Sequence, residues 1–346
     1  GESCREIFMN ILRSEKNRNT DRRKRALELI EIFVVVTICM VMYFHERGKA
    51  VQPGGNTLPA LGDHVLFGTY LGEPIEWRVI RTAENGEVVL IAENILTMKA
   101  FNAADSGEFN CDDDGNMYWS VNETEADRNM ELQAYVRGNS RWADSDLRAW
   151  LNSDRENVVY DGIGPVTSAM SAHKNGYASE PGFLNGFTQQ EREAIVPTEN
   201  ITNGNALDGG EVSSTDLVYL LSEEELSWLV EADVNIRAKP TAQAIEQDQT
   251  AWYQMFSLEL GLETYYWWLR EPVPDMASNC YVVDIGYKSR LLRGDKAVGL
   301  EGYGVRPVVK VDTGRITLLP KESESDVSEE ADATDMDTLE ENSREQ

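Results

Sequence analysis

A run of oxygen-bearing side chains near residue 115 has the spacing of a calcium-binding loop. The chain reads Asp112-Asp113-Asp114-Gly115-Asn116, and oxygen atoms are the ligands that a hard cation prefers. The ligands at positions 1, 3, 5, 7 and 12 of a twelve-residue loop would be Asp112, Asp114, Asn116, the carbonyl of Tyr118, and Glu123. Position 6 is Met117, where the sharp turn of such a loop needs glycine. Two interpretations stay open, a Ca²⁺ site and a solvated acidic loop.

A second candidate site combines two tryptophans with two arginines. Trp267 and Trp268 are followed closely by Arg270, and Arg306 lies in the segment Gly304-Val305-Arg306-Pro307. Adjacent residues of a strand face opposite ways, so one indole could enter the core while the other lies outward and stacks on a sugar. Alternatively, both indoles pack in the core and both arginines form internal ion pairs, with Asp284 and Glu271 as the candidate partners. These four residues therefore predict either a ligand site or a framework.

The cysteines exclude two kinds of site. The four cysteines form no C-x-x-C pair and no Cys/His cluster, so their spacing excludes a zinc finger and a thioredoxin-type motif. Cys4 and Cys39 lie in the N-terminal segment, whereas Cys111 and Cys280 lie in the body of the chain. Cys111 and Cys280 are either buried free thiols or partners in one disulfide, which an extracellular location would allow.

Motifs of nucleophilic or phosphate-binding sites are absent from the sequence. There is no G-x-S-x-G elbow, no H-E-x-x-H and no glycine-rich phosphate loop, and His45, His64 and His173 lie far apart. Paired carboxylates of the glycosidase kind stay open, because such pairs meet only in space and 60 acidic residues offer many choices. We therefore expect no catalytic residues from motifs, and no cofactor other than the Ca²⁺ considered above.

The charge of the chain limits its partners. A net charge of −28 disfavours nucleic acid, whose binding depends on lysine and arginine neutralising phosphates. The charge is uneven, since residues 1–25 hold eight basic and four acidic residues, whereas residues 314–346 hold three basic and eleven acidic ones. The middle of the chain is strongly acidic as well, so we expect the body to repel anionic lipid head groups.

An apolar segment near the N-terminus predicts a membrane anchor. Residues 32–44 are apolar except for Thr37, and residues 26–44 are long enough for a helix to cross a bilayer. The basic residues lie mainly before this segment, so the positive-inside rule predicts a cytoplasmic N-terminus and an extracellular body. A cleaved signal peptide and a buried helix are the alternatives, but no small-residue cleavage site follows Phe44.

The chain is accordingly divided into five parts. They are a basic cytoplasmic stub (1–25), a transmembrane helix (26–45), a linker (46–60), an ectodomain (61–313) and an acidic disordered tail (314–346).

Strands and short helices alternate along the body and must position the candidate sites. Period-two patterns predict a three-stranded meander over residues 63–92, with Asn85-Gly86 as one turn. The aromatic and β-branched residues of 265–311 predict a closing sheet, and residues 215–221 predict a buried strand. Helices are predicted over 144–152, 188–195, 222–230 and 240–262, and capping boxes open the second and third of them.

The order of several motifs resembles a bacterial extracellular family catalogued as domain of unknown function number 6273. The motifs are Pro74-Ile75-Glu76-Trp77-Arg78-Val79, Trp142-x-x-Ser145-x-Leu147-Arg148-x-Trp150-Leu151-Asn152, Phe187-x-x-x-Glu191, Asp216-Leu217-Val218-Tyr219-Leu220-Leu221-Ser222-x-x-Glu225, Trp267-Trp268-Leu269-Arg270 and Gly304-Val305-Arg306-Pro307. The resemblance covers roughly residues 61–313.

The resemblance implies a fold but no catalytic residue. The closing motifs of the family are similar to those of C-type lectin-like folds and of sulfatase-modifying enzymes of the formylglycine-generating kind, so the resemblance implies an α+β, C-type lectin-like domain. Those enzymes need paired reactive cysteines near the end of the domain, where this chain has only Cys280. The family usually continues Trp-Trp-Leu-Arg with Ser-Pro-Gly, whereas this chain has Glu271-Pro272-Val273 and so places an additional carboxylate beside Arg270.

Together these observations predict a single-pass membrane protein that presents one α+β ectodomain outside the cell. We expect the ectodomain to bind a surface carbohydrate or a protein without catalysis. The alternatives are an enzyme that modifies the cell envelope, of the sulfatase-modifying type or a hydrolase, and a sensor that couples external binding to the cytoplasmic stub.

Overall fold

The computed structural model describes residues 58–103, 130–160, 165–167, 175–207, 209–232, 234–249, 253–255, 261, 263–283, 292–297 and 302–321. Strands predominate and the helices are short, so the fold is of the α+β class. The strands are β1 (His64–Tyr70), β2 (Glu73–Thr82), β3 (Glu87–Ala92), β4 (Thr97–Ala100), β5 (Thr198–Asn203), β6 (Glu211–Asp216), β7 (Val218–Tyr219), β8 (Trp267–Pro272), β9 (Asn279–Val283), β10 (Leu292–Ala297), β11 (Gly302–Val305), β12 (Val308–Asp312) and β13 (Leu319–Pro320). The α-helices are α1 (Met130–Arg137), α2 (Asp146–Leu151), α3 (Gln189–Ala194), α4 (Glu223–Glu231) and α5 (Ala242–Gln247).

A six-stranded antiparallel sheet in the order β13-β1-β2-β3-β12-β7 contains the predicted meander. Its first hairpin pairs His64 with Arg78, and its second pairs Trp77 with Ala92. Alternate residues of β2 are buried, including Trp77, as the period of two in the sequence requires. The meander predicted over residues 63–92 is therefore confirmed.

The second large sheet has the order β10-β9-β8-β11-β4, and a separate hairpin joins β5 to β6. Strands β8, β9 and β11 come from the stretch 265–311, but β12 pairs with β3 in the first sheet. The prediction that this stretch forms one closing sheet is therefore wrong.

The chain changes sheets at Pro307, which has no N–H to donate to a ladder. Just before it, Gly304 brings β11 close to β8, since its N–H donates to Tyr266 O at 2.9 Å. A Cβ atom on Gly304 would lie 2.8 Å from that same oxygen, so the close approach requires glycine.

The predicted helix starts agree with the structure because their caps are local. Ser145 caps α2 by accepting from the N–H of Arg148, and Thr188 and Ser222 form complete capping boxes at α3 and α4. The long helix predicted over 240–262 is wrong in length, because α5 ends at Gln247.

Two other boundaries differ from the expectation. The strand predicted over 215–221 is broken between β6 and β7, where the side chain of Asn152 accepts from Leu217 N (2.7 Å) and Val218 N (3.1 Å) in place of a neighbouring strand. The disordered tail predicted over 314–346 is wrong for residues 314–321, because β13 pairs with β1 and Lys321 forms an ion pair with Glu76. The rest of the predicted tail lies outside the described residues.

The part of the chain with described coordinates contains no helix long and apolar enough to cross a bilayer. The segment 26–45 lies outside that part, so the membrane anchor stays a prediction.

The core between the sheets is rich in aromatic side chains and contains the side chain of Arg306. The tryptophans with essentially no exposed surface are Trp77, Trp142, Trp150, Trp267 and Trp268. Arg306 is buried with them, and burial lowers its pKa to about 10. Its Nε donates to Ala92 O at 2.7 Å, its Nη1 donates to Ile236 O at 3.0 Å, and its guanidinium carbon lies 5.2 Å from the ring centroid of Trp267.

We expect Arg306→Met to lower the free energy of unfolding by about 3 kcal/mol, because two buried carbonyls lose their donors. Urea unfolding followed by tryptophan fluorescence measures the change. The control is Arg237→Met, since Arg237 is exposed, and its effect should stay within about 0.5 kcal/mol. Equal effects of the two substitutions would contradict the role assigned to Arg306.

Candidate functional site

The two tryptophans predicted as a sugar platform lie in the core. Trp267 and Trp268 both have 0% exposed surface. The Nε1 of Trp267 donates to Ile236 O at 3.2 Å, and that of Trp268 donates to Lys99 O at 2.8 Å. Both faces of β8 are covered, so the alternation of side chains along the strand brings neither ring to the surface. In this arrangement, neither indole offers a face to a sugar.

The two arginines of the same prediction lie in different parts of the domain. Arg306 lies in the core described above, whereas Arg270 reaches the first turn of α4. The Nη1 of Arg270 donates to Leu220 O at 2.6 Å and to Glu225 Oε2 at 2.5 Å. The internal ion pair considered for Arg270 therefore exists, with Glu225 as the partner instead of Glu271.

The predicted calcium ligands Asp112, Asp114, Asn116, Tyr118 and Glu123 lie outside the described residues, so the Ca²⁺ site stays a prediction. Among the residues with described positions, no group of His, Cys, Asp or Glu is placed to hold a metal ion.

Cys280 is buried, has no disulfide partner among the described residues, and has its Sγ 3.4 Å from Ser140 O. Burial raises the pKa of the thiol well above its usual value, so it stays protonated and unreactive at neutral pH. Its predicted partner Cys111 lies outside the described residues, and the disulfide stays a prediction.

A candidate ligand site is a groove of about 640 Å³ between α4, the β5–β6 hairpin and strands β8 and β9. We call it the acidic groove, because glutamates are its commonest lining residues. They are Glu211, Glu223, Glu224, Glu225 and Glu271. The other lining residues are Ile201, Asn203, Ser222, Ser227, Trp228, Arg270, Pro272, Pro274 and Tyr281.

Arg270 lines the acidic groove and has a buried and incompletely satisfied donor. Its residue surface is 5% exposed, and its Nε is buried without an acceptor among the described residues. A buried donor without an acceptor costs about 1–3 kcal/mol, so native structures seldom keep one without a bound water, ion or ligand. In this conformation the Nε is closed to solvent, so a ligand in the groove does not contact it.

Glu271 is the most buried carboxylate of the groove, with 7% of its surface exposed. Burial raises the pKa of its carboxyl, and the nearby charges of Glu223 and Glu225 raise it further. The N–H of Asn203, which donates to Oε2 at 3.2 Å, and the charge of Arg270 lower the pKa by more than these two glutamates raise it, but by less than burial does. The carboxyl therefore keeps its proton to a higher pH than an ordinary glutamate does.

Trp228 forms an aromatic wall of the acidic groove and is 42% exposed. The same residue also lines a smaller, mainly apolar hollow of about 100 Å³ together with Arg81. The guanidinium carbon of Arg81 lies 4.8 Å from the centroid of the Trp228 ring system, and this stacking helps to hold the ring in place. Trp228 is thus a positioned aromatic surface that a ligand can reach.

Lys99 is another buried charged residue, and it does not line the acidic groove. Its side chain has no exposed surface and forms an ion pair with Glu180. The Nζ lies 5.2 Å from the ring centroid of Trp150 and 4.8 Å from that of Tyr177, and burial lowers its pKa. This cation is enclosed by aromatic rings and serves the framework.

Asp146 is another buried acidic residue, and its carboxylate forms hydrogen bonds with two separate segments. Its Oδ2 accepts from Ala103 N at 2.9 Å and from Val166 N at 3.2 Å. Burial raises the pKa of the carboxyl to about 7. Asp146 thereby anchors Ala103, the last described residue before the segment that contains the predicted calcium ligands.

The sequence analysis noted several residues of the acidic groove but did not predict that they lie together. Ser222-Glu223-Glu224-Glu225 was interpreted only as a helix start, and Glu271 only as a carboxylate beside Arg270. These stretches are about 45 residues apart in the chain, and no local signal places them in one groove. The single hint was the substitution of glutamate where the family usually has serine after Trp-Trp-Leu-Arg.

We expect Glu271→Gln to stabilise the protein at pH 8 and to have little effect at pH 4. The folded-state pKa of Glu271 is raised, so stability is highest below the unfolded value of 4.5 and falls as the pH rises through the folded value. Glutamine removes this loss and can still accept from Asn203 N. Thermal unfolding between pH 4 and pH 8 measures the difference, with the exposed Glu231→Gln as control. A lower melting temperature at pH 8 would contradict the prediction.

Comparison with known proteins gives a family and no closer relative. A family model described as "Domain of unknown function (DUF6273)" matches residues 85–313, which is more than half of the 346-residue chain. No curated protein and no solved structure matches the chain. The match includes every residue that lines the acidic groove. The chain therefore belongs to the DUF6273 family of domains of unknown function.

Proposed function

We propose that this protein is a membrane-anchored receptor whose extracellular α+β domain binds carbohydrate in the acidic groove without catalysis. The observation that carries the proposal is the meeting, in one groove, of five glutamates and the exposed ring of Trp228. The anchor rests on the apolar segment 26–45 and the basic residues before it, and a C-type lectin-like fold rests on the motif resemblance.

The polar groups of the groove match the chemistry of a sugar. A hydroxyl group both donates and accepts, so it can give a hydrogen bond to Glu223 or Glu224 and accept one from the side-chain amide of Asn203. Asn203 and Ser222 add an amide and a hydroxyl group to the same lining. A ligand that only donates, or only accepts, would leave part of this set unsatisfied.

The aromatic walls match the apolar faces of sugar rings. Trp228 and Tyr281 both line the groove, and a flat ring packs well against the C–H face of a pyranose. The volume of about 640 Å³ is in the usual range for a small-molecule site, which suits a short stretch of glycan better than a protein surface.

Hydrolysis of a cell-envelope polysaccharide is a second candidate, favoured by Glu271. This carboxyl holds its proton to a raised pH and lies in a groove with other carboxylates, which is the arrangement of a general acid with a nucleophile or base. We rank it second because Glu271 is nearly covered, so a substrate would have little access to it.

Trp228→Ala should weaken glycan binding about ten-fold, since losing one stacked ring costs about 1.5 kcal/mol. Binding of the full chain to a glycan array, followed by calorimetry on the best ligand with and without Ca²⁺, measures the effect. Val230→Ala is the matched control, because Val230 lies on the same helix, is 40% exposed and does not line the groove. Failure of the parent protein to bind any glycan under either condition would refute the proposal.

The second candidate is tested by incubating the full chain with cell-envelope polysaccharide and assaying new reducing ends. If the domain only binds, neither the parent nor Glu271→Gln releases product above background. Release by the parent that Glu271→Gln abolishes would replace binding with hydrolysis as the function.

A further inference from the structure

We propose that the acidic groove selects glycans whose rings carry acetamido groups, and that it holds such a group on the free edge of strand β5. This inference rests on the proposed function and names the class of carbohydrate. It is carried by the direction in which the backbone N–H and C=O groups of β5 point.

The hydrogen bonds of the β5–β6 hairpin determine which backbone groups of β5 point away from β6. Opposite residues of an antiparallel pair alternate between those that exchange hydrogen bonds and those that do not. Asn203 lies opposite Glu211, and at the next position Gly204 N donates to Gly210 O at 2.5 Å. The even-numbered residues of β5 therefore bond to β6, and the odd-numbered residues direct their N–H and C=O groups to the other side.

Two contacts outside the hairpin agree with this alternation. Thr215, which lies opposite Glu199, directs its carbonyl outward and accepts from Arg148 Nη2 at 3.2 Å. Asn203 directs its N–H outward and donates to Glu271 Oε2 at 3.2 Å. Because Glu271 lies on β8 and lines the groove, the outer edge of β5 faces the groove.

Ile201 places an open section of this edge in the acidic groove. It is odd-numbered, lies two residues before Asn203, lines the groove and is 53% exposed. Among the described residues, no group outside the hairpin forms a hydrogen bond with its N–H or its C=O. A strand edge with unpaired backbone groups is a template for an amide group of another molecule.

The helix side of the groove complements this edge. There the carboxylates of Glu223 and Glu224 can only accept hydrogen bonds, whereas Ile201 N–H can only donate. A trans amide carries its C=O and its N–H on opposite sides of one plane, so it can accept from Ile201 and donate towards α4 at the same time. A hydroxyl group carries both functions on one oxygen atom and serves the two sides less well.

An acetamido sugar adds contacts that a bare amide lacks. Its methyl group can pack on the apolar surfaces of Pro272 and Pro274, and its ring can stack on Trp228. The group is uncharged, so the glutamates of the lining do not repel it, whereas they would repel the carboxylate of a uronate. The groove thus fits a neutral, N-acetylated ring.

The experiment measures the binding of three β-1,4-linked tetrasaccharides to the full chain by calorimetry. They are an N-acetylglucosamine, a glucose and a glucosamine oligomer. We expect the acetylated oligomer to bind about ten-fold more tightly than the glucose oligomer, because it adds a backbone hydrogen bond and a buried methyl group. This preference should be the same in about 20 mM and about 500 mM salt, since salt screens charges and an acetamido group has none.

Proline substitutions locate the preference on the strand edge. Ile201→Pro removes the outward N–H without taking a bond from the hairpin, and it should abolish the preference for the acetylated oligomer. Ile201→Ala keeps the N–H and should retain most of the preference. Glu199→Pro is the matched control, because Glu199 is an exposed, odd-numbered residue of β5 that does not line the groove. Melting temperatures of the variants separate loss of binding from loss of fold.

A direct measurement does not depend on any variant that must bind. The amide resonance of Ile201 is identified in isotope-labelled isoleucine spectra by its absence from Ile201→Ala. Saturation with the acetylated oligomer should move this resonance downfield, as a new hydrogen bond to the N–H does. An unmoved resonance in the presence of bound oligomer overturns the assignment to the β5 edge.

The outcomes separate this inference from the proposed function. Equal binding of the three tetrasaccharides, or tighter binding of the glucosamine oligomer, overturns the acetamido selectivity and leaves carbohydrate binding intact. A tetra-alanine peptide with acetylated and amidated ends serves as a fourth ligand, since a peptide also carries amides. Its binding in the absence of any glycan binding overturns both proposals in favour of a peptide, and failure of all four ligands to bind also overturns both.

Discussion

The guanidinium of Arg306 joins the two main sheets of the domain, and the remaining structure depends on this buried contact. Its donors reach the end of β3 at Ala92 and the segment at Ile236, while Trp267 of β8 covers its face. A guanidinium suits this position because several N–H groups in one plane can satisfy carbonyls on different elements. The next residue, Pro307, ends one ladder, so the chain leaves the five-stranded sheet and enters the six-stranded sheet within two residues.

This junction determines which side chains of β8 are buried and which reach a surface groove. With both of its faces covered, Trp267 and Trp268 serve as packing residues, and Trp268 packs against Phe101 and Tyr303 with ring centroids 5.7 and 5.1 Å away. The charged end of the strand is different, since Arg270 and Glu271 extend to α4 and to the β5–β6 hairpin. The rigid part of β8 thus ends where the acidic groove begins, which is a common way to build a precise site on a stable framework.

The acidic groove contains several interactions that destabilise the fold. A carboxyl with a raised pKa, a buried Nε without a described acceptor and several glutamates without an ion-pair partner among the described residues all cost free energy. By contrast, the buried Lys99 has Glu180, and the buried Arg306 has two carbonyls. Groups that lack such compensation and converge on a groove are typical of a site that a ligand completes.

The amino-acid sequence by itself determined the local elements of this protein. The period of two gave the meander, and the side chains of Ser145, Thr188 and Ser222 marked helix starts, because such caps act within three residues. The order of motifs was sufficient to indicate the family. Side-chain alternation failed at β8, since it predicts one outward tryptophan only where one face of a strand meets water.

Tertiary structure alone decided where the chain changes sheets and which residues form the groove. Residues 222–225 and 270–271 meet only because β8 packs beside the segment before α4, where Arg270 N donates to Leu221 O at 3.0 Å. Burial and charge proximity, which set the pKa of Glu271 and leave Arg270 Nε without a described acceptor, are properties of that packing. They depend on distances between residues far apart in the chain, and a sequence pattern carries no such distances.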